Sequence, residues 1–226
     1  MISVLGLFLY FTSITQSHGQ VLYSGSCPNL GGMKNFDLNR YVGLWYEVEK
    51  YLFLPEIKGN CVYVRYKDHT NDTFQADIVQ VEAITRKHVV SPAYGRIVSD
   101  DGSASIHLRV NIRVPLTFIN VQIDYPYFIL DTDYDNYVIK WACRPGALGH
   151  NIQSTWILTR SRNYTPEIRR KVHEVLRQHG LRPQHLLLLD NYSCPSPRES
   201  ENELAEEAAE VFPILDSNNN TETQPV

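Results

Sequence analysis

The stretch that decides the fold is NRYVGLWYEVEKY, residues 39–51. It places Gly43 two residues before Trp45 and continues as a run in which apolar and charged residues alternate. A period of two is typical of a β-strand with one buried face. Tryptophan is large, costly to leave exposed and usually committed to one packing site. The stretch therefore predicts the first strand of a sheet, with Trp45 fixed in the core.

About eight short strand-like runs, rich in Val, Ile, Tyr and Thr, follow one another between residues 40 and 160. Turn signals such as Asp101-Gly102 separate them, and two of the runs are predicted to begin at Ala93 and at Pro126. Short strands that recur every 8–15 residues or so predict an antiparallel all-β sandwich or barrel.

One amphipathic helix breaks this pattern. Thr165 can cap it, with Pro166 at its first position. A single apolar stripe then runs along it, formed by Ile168, Val172, Val175 and Leu176. A last strand is predicted at 185–190. We expect an all-β fold, an eight-stranded antiparallel up-and-down barrel with this C-terminal α-helix packed outside.

Both ends of the chain differ from the body. Residues 1–19 carry no Lys, Arg, Asp or Glu, and their apolar block is about ten residues long, too short to span a bilayer. They predict a secretory signal peptide, with a buried first strand as the alternative. Residues 196–226 carry eight acids and one Arg, which predicts an acidic disordered tail. The barrel domain is then 20–195, in a protein predicted to be secreted and extracellular.

Four cysteines, an even number in an exported chain, predict two disulfides, and the residues alone leave all three connectivities open. Four N-x-S/T sequons predict glycosylation of a secreted protein, at Asn71, Asn163, Asn191 and Asn219. The cysteines contain no C-x-x-C pair, so a metal site is not predicted. No cofactor is predicted either.

An enzyme is not predicted. The chain contains no G-x-S-x-G, no H-E-x-x-H and no phosphate-binding glycine loop. The acidic run TDYDNY, residues 132–137, lacks the spacing of a calcium loop and reads as a turn. The body carries a net charge of only +3, because the whole chain is −4 and the tail is −7. Such a balance does not favour nucleic acid as a partner, and no transmembrane segment is predicted.

Alternation predicts which side chains face the interior. Strand 103–114 places four apolar residues on one face, Ile106, Leu108, Val110 and Ile112. A wholly apolar interior would suit an apolar guest, but the same pattern fits side chains that meet and fill the barrel. The sequence leaves these two alternatives open.

Three separated motifs resemble the signature regions of the lipocalins. They are N-x-x-x-G-x-W at 39–45, T-D-Y-x-N-Y at 132–137 and the late Arg160 in TWILTRSR. The resemblance implies that Trp45 closes one end of the barrel and that Arg160 lies across its indole as a cation–π pair. It also implies that Gly43 leaves room for a neighbouring backbone.

Over residues 25–195 the chain resembles the branch that contains apolipoprotein D and the insect Lazarillo-type and bilin-binding lipocalins. This branch implies disulfides Cys27–Cys143 and Cys61–Cys194. It implies non-covalent transport of a fatty acid, sterol or retinoid in the cavity. The alternatives are a biliverdin carrier, or a protein-interaction module with a filled barrel. A cell-surface receptor or a lipoprotein particle are further implied partners. The implied ligand-binding residues are Val64, Tyr66, Val110 and Trp156.

Overall fold

The computed structural model describes residues 22–51, 59–82, 88–113, 120–191 and 193–198. Eight long strands make up most of this part of the chain. They are β2 (Gly43–Tyr51), β3 (Gly59–His69), β4 (Thr73–Glu82), β5 (His88–Ile97), β6 (Ser105–Arg113), β7 (Asn120–Thr132), β8 (Tyr137–Pro145) and β9 (His150–Thr159). The predicted signal peptide, 1–19, and all but the first three residues of the predicted acidic tail lie outside the described residues.

The eight strands form a closed antiparallel barrel. Each pairs with the next along the chain, and β9 also pairs with β2, which closes the sheet on itself. Two short strands extend it at the seam: β1 (Leu22–Ser24) pairs with β9, and β10 (Leu186–Leu188) pairs with β2. The predicted up-and-down barrel is confirmed, and the last predicted strand corresponds to β10.

Two strands begin earlier than predicted. Each runs through a proline, a residue that usually marks the limit of a strand. β5 begins at His88 rather than at Ala93, and β7 begins at Asn120 rather than at Pro126. Proline has no backbone N–H, so it cannot donate to the hydrogen-bond ladder of a strand that is paired on both sides. Each proline occupies a stretch with only one ladder partner, because β5–β6 pairing begins at Ala93 and β7–β8 pairing at Phe128. Each proline therefore lies at an edge of the described sheet, where proline is tolerated.

The predicted helix lies outside the barrel. It is α2 (Pro166–Gln178), and the Thr165 hydroxyl accepts a hydrogen bond from Ile168 N, as expected of a cap. Gly180 follows it with a φ of 72°, the left-handed conformation that favours glycine after a helix. The predicted apolar stripe packs on the outer face of the sheet, against a cluster that includes Ile139, Trp141 and Ile157.

The strand ends define two ends of the barrel. At one end lie the turns 70–72, 98–104 and 133–136, together with the short helix α1 (Leu38–Tyr41). We call it the closed end. β2, β4 and β6 finish at the opposite, open end, where the turn 146–149 also lies. None of the helices in the described ranges has the length and apolar character that crossing a bilayer would require.

Two disulfides fasten the terminal segments to the barrel. Cys27, on the segment after β1, is bonded to Cys143 on β8. Cys194, beyond β10, is bonded to Cys61 on β3. This is the pairing that the resemblance implied. Each bridge joins positions more than 100 residues apart, with sequence separations of 116 and 133.

A candidate ligand-binding interior and its closed end

Trp45 forms the floor of the barrel interior. Its side chain is fully buried, and its Nε1 donates a hydrogen bond to Tyr41 O at 2.7 Å. The Arg160 guanidinium lies over the indole, with Cζ 3.8 Å from the ring centroid. This distance is well within the range of a cation–π interaction. The predicted Trp45–Arg160 pair is confirmed.

Arg160 also ties together the elements of the closed end. Its Nε donates to Tyr134 O at 2.9 Å, and its Nη1 donates to Leu44 O at 3.1 Å. Its Nη2 donates to Arg40 O at 2.8 Å. One side chain at the end of β9 thus holds α1, the start of β2 and the turn 133–136 against the same indole.

Gly43 has a different role from the one expected. It adopts a φ of 103°, which L side chains rarely adopt. A Cβ at this position would lie 3.2 Å from Arg160 Nη1. The expectation that Gly43 makes room for a neighbouring backbone is therefore wrong. The residue supplies a left-handed turn between α1 and β2 and leaves space for the guanidinium.

The acidic run at 132–137 is a turn built on one carboxylate. Asp133 Oδ1 accepts hydrogen bonds from the backbone N–H groups of Asn136, at 2.7 Å, and Tyr137, at 3.1 Å. Partial burial would raise the pKa of Asp133, but the hydrogen bonds from Asn136 and Tyr137 outweigh it and hold the pKa below its usual value. Asp133 therefore stays ionised and fixes the turn that presents Tyr134 O to Arg160.

All four predicted ligand-binding residues face the interior. Each is buried, and they belong to one apolar cluster that also contains Trp45. Tyr66 lies deepest, with its ring 4.7 Å from Tyr41 and 5.2 Å from Phe74, just above the floor. The Trp156 ring meets Tyr125 edge-on at 5.5 Å. Val64 and Val110 line the wall on β3 and β6. The structure thus brings the predicted set into one aromatic and aliphatic interior.

The interior is not wholly apolar, because it contains a lysine. β8 turns Val138, Lys140 and Ala142 inward, while Tyr137, Ile139 and Trp141 pack outward toward α2. Lys140 is only 8% exposed. Its Nζ donates a hydrogen bond to Tyr66 Oη and lies 5.0 and 5.3 Å from the ring centroids of Tyr66 and Tyr127.

A pair of opposite charges also lies inside the barrel, on the inner face of β2. Glu47 and Lys50 are paired in register with Leu158 and Trp156, both interior residues, and a bulge between Glu47 and Glu49 places them on the same face. Lys50 Nζ lies 2.9 Å from Glu47 Oε1. Sequence reasoning missed these residues, because strict alternation along β2 would have put Glu47 and Lys50 on opposite faces.

Two interior tyrosines stay neutral. Burial raises the pKa of Tyr41 and of Tyr127 well above the usual value, and the neighbouring Tyr66 adds to both shifts. Neither hydroxyl oxygen makes a hydrogen bond of good geometry within the described part of the chain. The interior near the floor therefore holds an ammonium and neutral phenols.

A concave groove of about 550 Å³ lies elsewhere, between the closed-end turns. Its lining mixes Phe36 and Ile97 with Asn71, Asp72 and Arg96. Asp72 and Arg96 pair at 3.4 Å and are both exposed to solvent by half or more of their side chains. An open charged groove next to a sequon suits an apolar guest poorly.

The sequon asparagines differ in accessibility. Asn71 and Asn163 are exposed, and Asn219 lies outside the described residues. Asn191 is 4% exposed, and its Nδ2 donates to Glu47 O at 2.7 Å. Nδ2 is the atom that would carry a glycan, so this packing argues against glycosylation at Asn191. Within the described ranges, no three His, Cys, Asp or Glu side chains come close enough to hold a metal ion.

A closed eight-stranded antiparallel barrel with an aromatic interior and a Trp–Arg floor defines a class of protein, the small up-and-down barrels whose interior is either filled by side chains or holds one small ligand. The chain belongs to the lipocalin / cytosolic fatty-acid binding protein family, whose family model matches residues 42–191. Members of this family bind small hydrophobic ligands.

Two named relatives and one solved structure are similar to this chain. Apolipoprotein D of Cavia porcellus is 29% identical over 184 residues, which cover 80% of this chain and 91% of that protein. The Lazarillo protein of Schistocerca americana is 29% identical over 67% of this chain and 68% of its own length. The crystal structure of insecticyanin from Manduca sexta superposes with a TM-score of 0.65 at 21% identity, covering 76% of this chain and 89% of that one. That structural likeness concerns the fold alone.

Proposed function

We propose that the protein is a secreted carrier that binds a fatty acid, a sterol or a retinoid non-covalently in the barrel interior. The observation that carries the proposal is the inward cluster of Val64, Tyr66, Val110 and Trp156 above a sealed floor. Burying an apolar guest there would contribute about 25 cal/mol per Å² of area removed from water. Since ordering and desolvation oppose this gain, we expect affinities of roughly micromolar order.

The similarity to apolipoprotein D supports transport rather than catalysis, and we propose no enzymatic activity and no cofactor. The two disulfides suit an oxidising compartment, which supports secretion. We include the signal peptide at 1–19 and glycans on Asn71 and Asn163 in the proposal. A receptor or a lipoprotein particle would be the larger partner.

A bilin carrier is the second candidate, favoured by the similarity to insecticyanin-B of Manduca sexta, 26% identical over 75% of this chain. Blue colour of the purified protein would reveal it. A filled barrel that acts through its outer surface remains the alternative in which no small ligand binds.

Titration of intrinsic fluorescence tests the proposal. Trp156 lies in the interior, whereas Trp141 packs toward α2 and Trp45 lies under Arg160. We expect retinol to quench the emission in a saturable way, with a Kd of about 1–10 μM. Trp156→Phe should remove most of the quenching, and Trp141→Phe, the matched control, should keep it. Absence of saturable binding of retinol, a fatty acid and a sterol at tens of micromolar would favour the filled barrel.

A further inference from the structure

We propose that the ligand carries an acidic head group and that the Lys140 ammonium binds it near the floor of the barrel. This inference rests on the proposed carrier function and narrows its ligand to a carboxylic-acid lipid over a neutral one. It assigns selectivity to a residue on β8 that none of the sequence motifs includes.

The surroundings of Lys140 provide the first line of evidence. Its Nζ meets one hydroxyl, that of Tyr66, and the faces of two rings, Tyr66 and Tyr127. Across the described residues, no carboxylate lies within 4 Å of it, although its side chain is almost fully buried. A buried charge is costly unless it is paired, and two tyrosine faces compensate for only part of that cost. An anionic ligand would supply the missing partner.

The balance of charge inside the barrel points the same way. The inward-facing Glu47 and Lys50 form an ion pair at 2.9 Å, and their opposite charges cancel. Lys140 therefore leaves the described interior with one excess positive charge. Tyr41 and Tyr127 cannot balance it, because burial raises the pKa of both and keeps them protonated. Their hydroxyls lack hydrogen bonds of good geometry and could donate to a carboxylate as Lys140 does.

Depth along the barrel sets the orientation of the ligand. Lys140 is the fourth residue of β8, which begins at the closed end. Tyr66 lies near the closed end of β3, and Tyr127 is paired with Ile106, the second residue of β6. Val64 and Val110 lie further toward the open end, whereas Trp156 is paired with Lys140 and lies beside it. The head group would therefore lie deep on Lys140, with the apolar chain extending past Val64 and Val110 toward the open end.

A matched pair of ligands separates this inference from the carrier function. Hexadecanoic acid and 1-hexadecanol share a chain and differ in the charge of the head. Each would be titrated at pH 7.5 against protein loaded with retinol, and its Kd taken from the loss of retinol fluorescence. We expect the acid to bind about tenfold more tightly than the alcohol, the size expected of one charge-assisted hydrogen bond in a partly compensated site.

Substitutions then assign the preference to one side chain. Lys140→Met should weaken the acid about tenfold and leave the alcohol within about twofold, while Lys140→Arg should keep the preference. Lys171→Met is the matched control: Lys171 also lies over a tyrosine ring, that of Tyr137 at 5.0 Å, but on the outside of the barrel. It should change neither affinity.

Each outcome decides one claim. Equal affinities for acid and alcohol in the unsubstituted protein would overturn the role of Lys140 and leave the carrier function standing, and this comparison needs no variant to fold. A preference that survives Lys140→Met in folded protein would also overturn it. No displacement by either ligand, together with no binding of retinol, would overturn the carrier function itself.

Discussion

Arg160 shows how one side chain closes one end of a barrel. It contacts the Trp45 indole face and donates to the backbone carbonyls of Arg40, Leu44 and Tyr134. These partners come from α1 and β2, which are adjacent in the sequence, and from the turn before β8, which is far from both. Its contribution is therefore to the stability of the closed end, below the space available to a ligand.

Removing this side chain should destabilise the protein but leave its affinity for the ligand nearly unchanged. Arg160→Ala loses the cation–π contact and leaves the partly buried carbonyls of Leu44 and Tyr134 without these donors, so we expect the free energy of unfolding to fall by about 2 kcal/mol. Chemical denaturation would measure it, and retinol affinity should change little in the folded variant. Arg144→Ala, at an exposed arginine on β8, is the control. Unchanged stability with lost binding would place Arg160 in the ligand site instead.

Lys140 marks the limit of prediction at the residue scale. In the run YVIKWAC, residues 137–143, both faces of the strand are largely apolar, so alternation alone does not show which one turns inward. The structure pairs Lys140 with Trp156 across the β8–β9 hairpin. Had the hairpin register been counted outward from the turn at 146–149, the lysine would have been placed beside a predicted pocket residue.

The contact between α2 and the barrel is the main feature at the scale of elements. Its apolar part, Val172 and Leu176, was predictable from helical spacing, and both side chains are fully buried. Its polar part was not, because it depends on the bulge in β2 that turns Glu49 outward next to Val48. A bulge adds one residue to a strand and leaves no periodic signal in the sequence.

Glu49 is the centre of that polar contact. Its carboxylate is fully buried and accepts hydrogen bonds from Arg169 Nε at 2.7 Å and Tyr164 Oη at 3.0 Å, with His173 Nε2 at 2.8 Å. Burial raises the pKa of Tyr164, and the charge of Glu49 adds to the shift, so the phenol stays protonated and able to donate. Three side chains around α2 thus depend on one carboxylate of β2.

Glu49→Gln should therefore loosen α2. The glutamine amide has nearly the same shape as the carboxylate but no charge. Its NH₂ group would face a donor at a position where a carboxylate oxygen now accepts a hydrogen bond. We expect a loss of about 2 kcal/mol in the free energy of unfolding, less than for a fully buried ion pair because Arg169 can reach solvent. Glu174→Gln, on the exposed face of α2, is the control. Equal, small losses for both variants would show that Glu49 does not hold the helix.

At the scale of the whole molecule, the barrel followed from the spacing of its short strands and from the signature motifs. The starts of β5 and β7 could not be predicted in this way. A proline inside a strand is tolerated only where one neighbouring strand is missing, and the sequence does not show where strand pairing ends. The burial of the sequon asparagine Asn191 could not be predicted for a similar reason. A sequon is a local pattern, whereas the burial of Asn191 against Glu47 O depends on where the segment after β10 packs.

The disulfides connect this scale to function. They hold both terminal segments against strands of a barrel whose interior is the proposed binding site. In the chain-entropy model, loops of this length stabilise the folded state by roughly 4–5 kcal/mol each, although strain often lowers the figure. Both bridges therefore stabilise the barrel that surrounds the proposed site.

Mass spectrometry of a solvent extract from protein purified from its native source tests the central claim most directly. The account predicts one class of small hydrophobic molecule, a carboxylic-acid lipid, at close to one molecule per protein and absent from a mock-purified sample. Recovery of a neutral lipid alone would keep the carrier and remove the role of Lys140, and biliverdin would favour the bilin carrier. Folded, disulfide-bonded protein that yields no small hydrophobic molecule above the mock sample would contradict the claim that this barrel is a carrier.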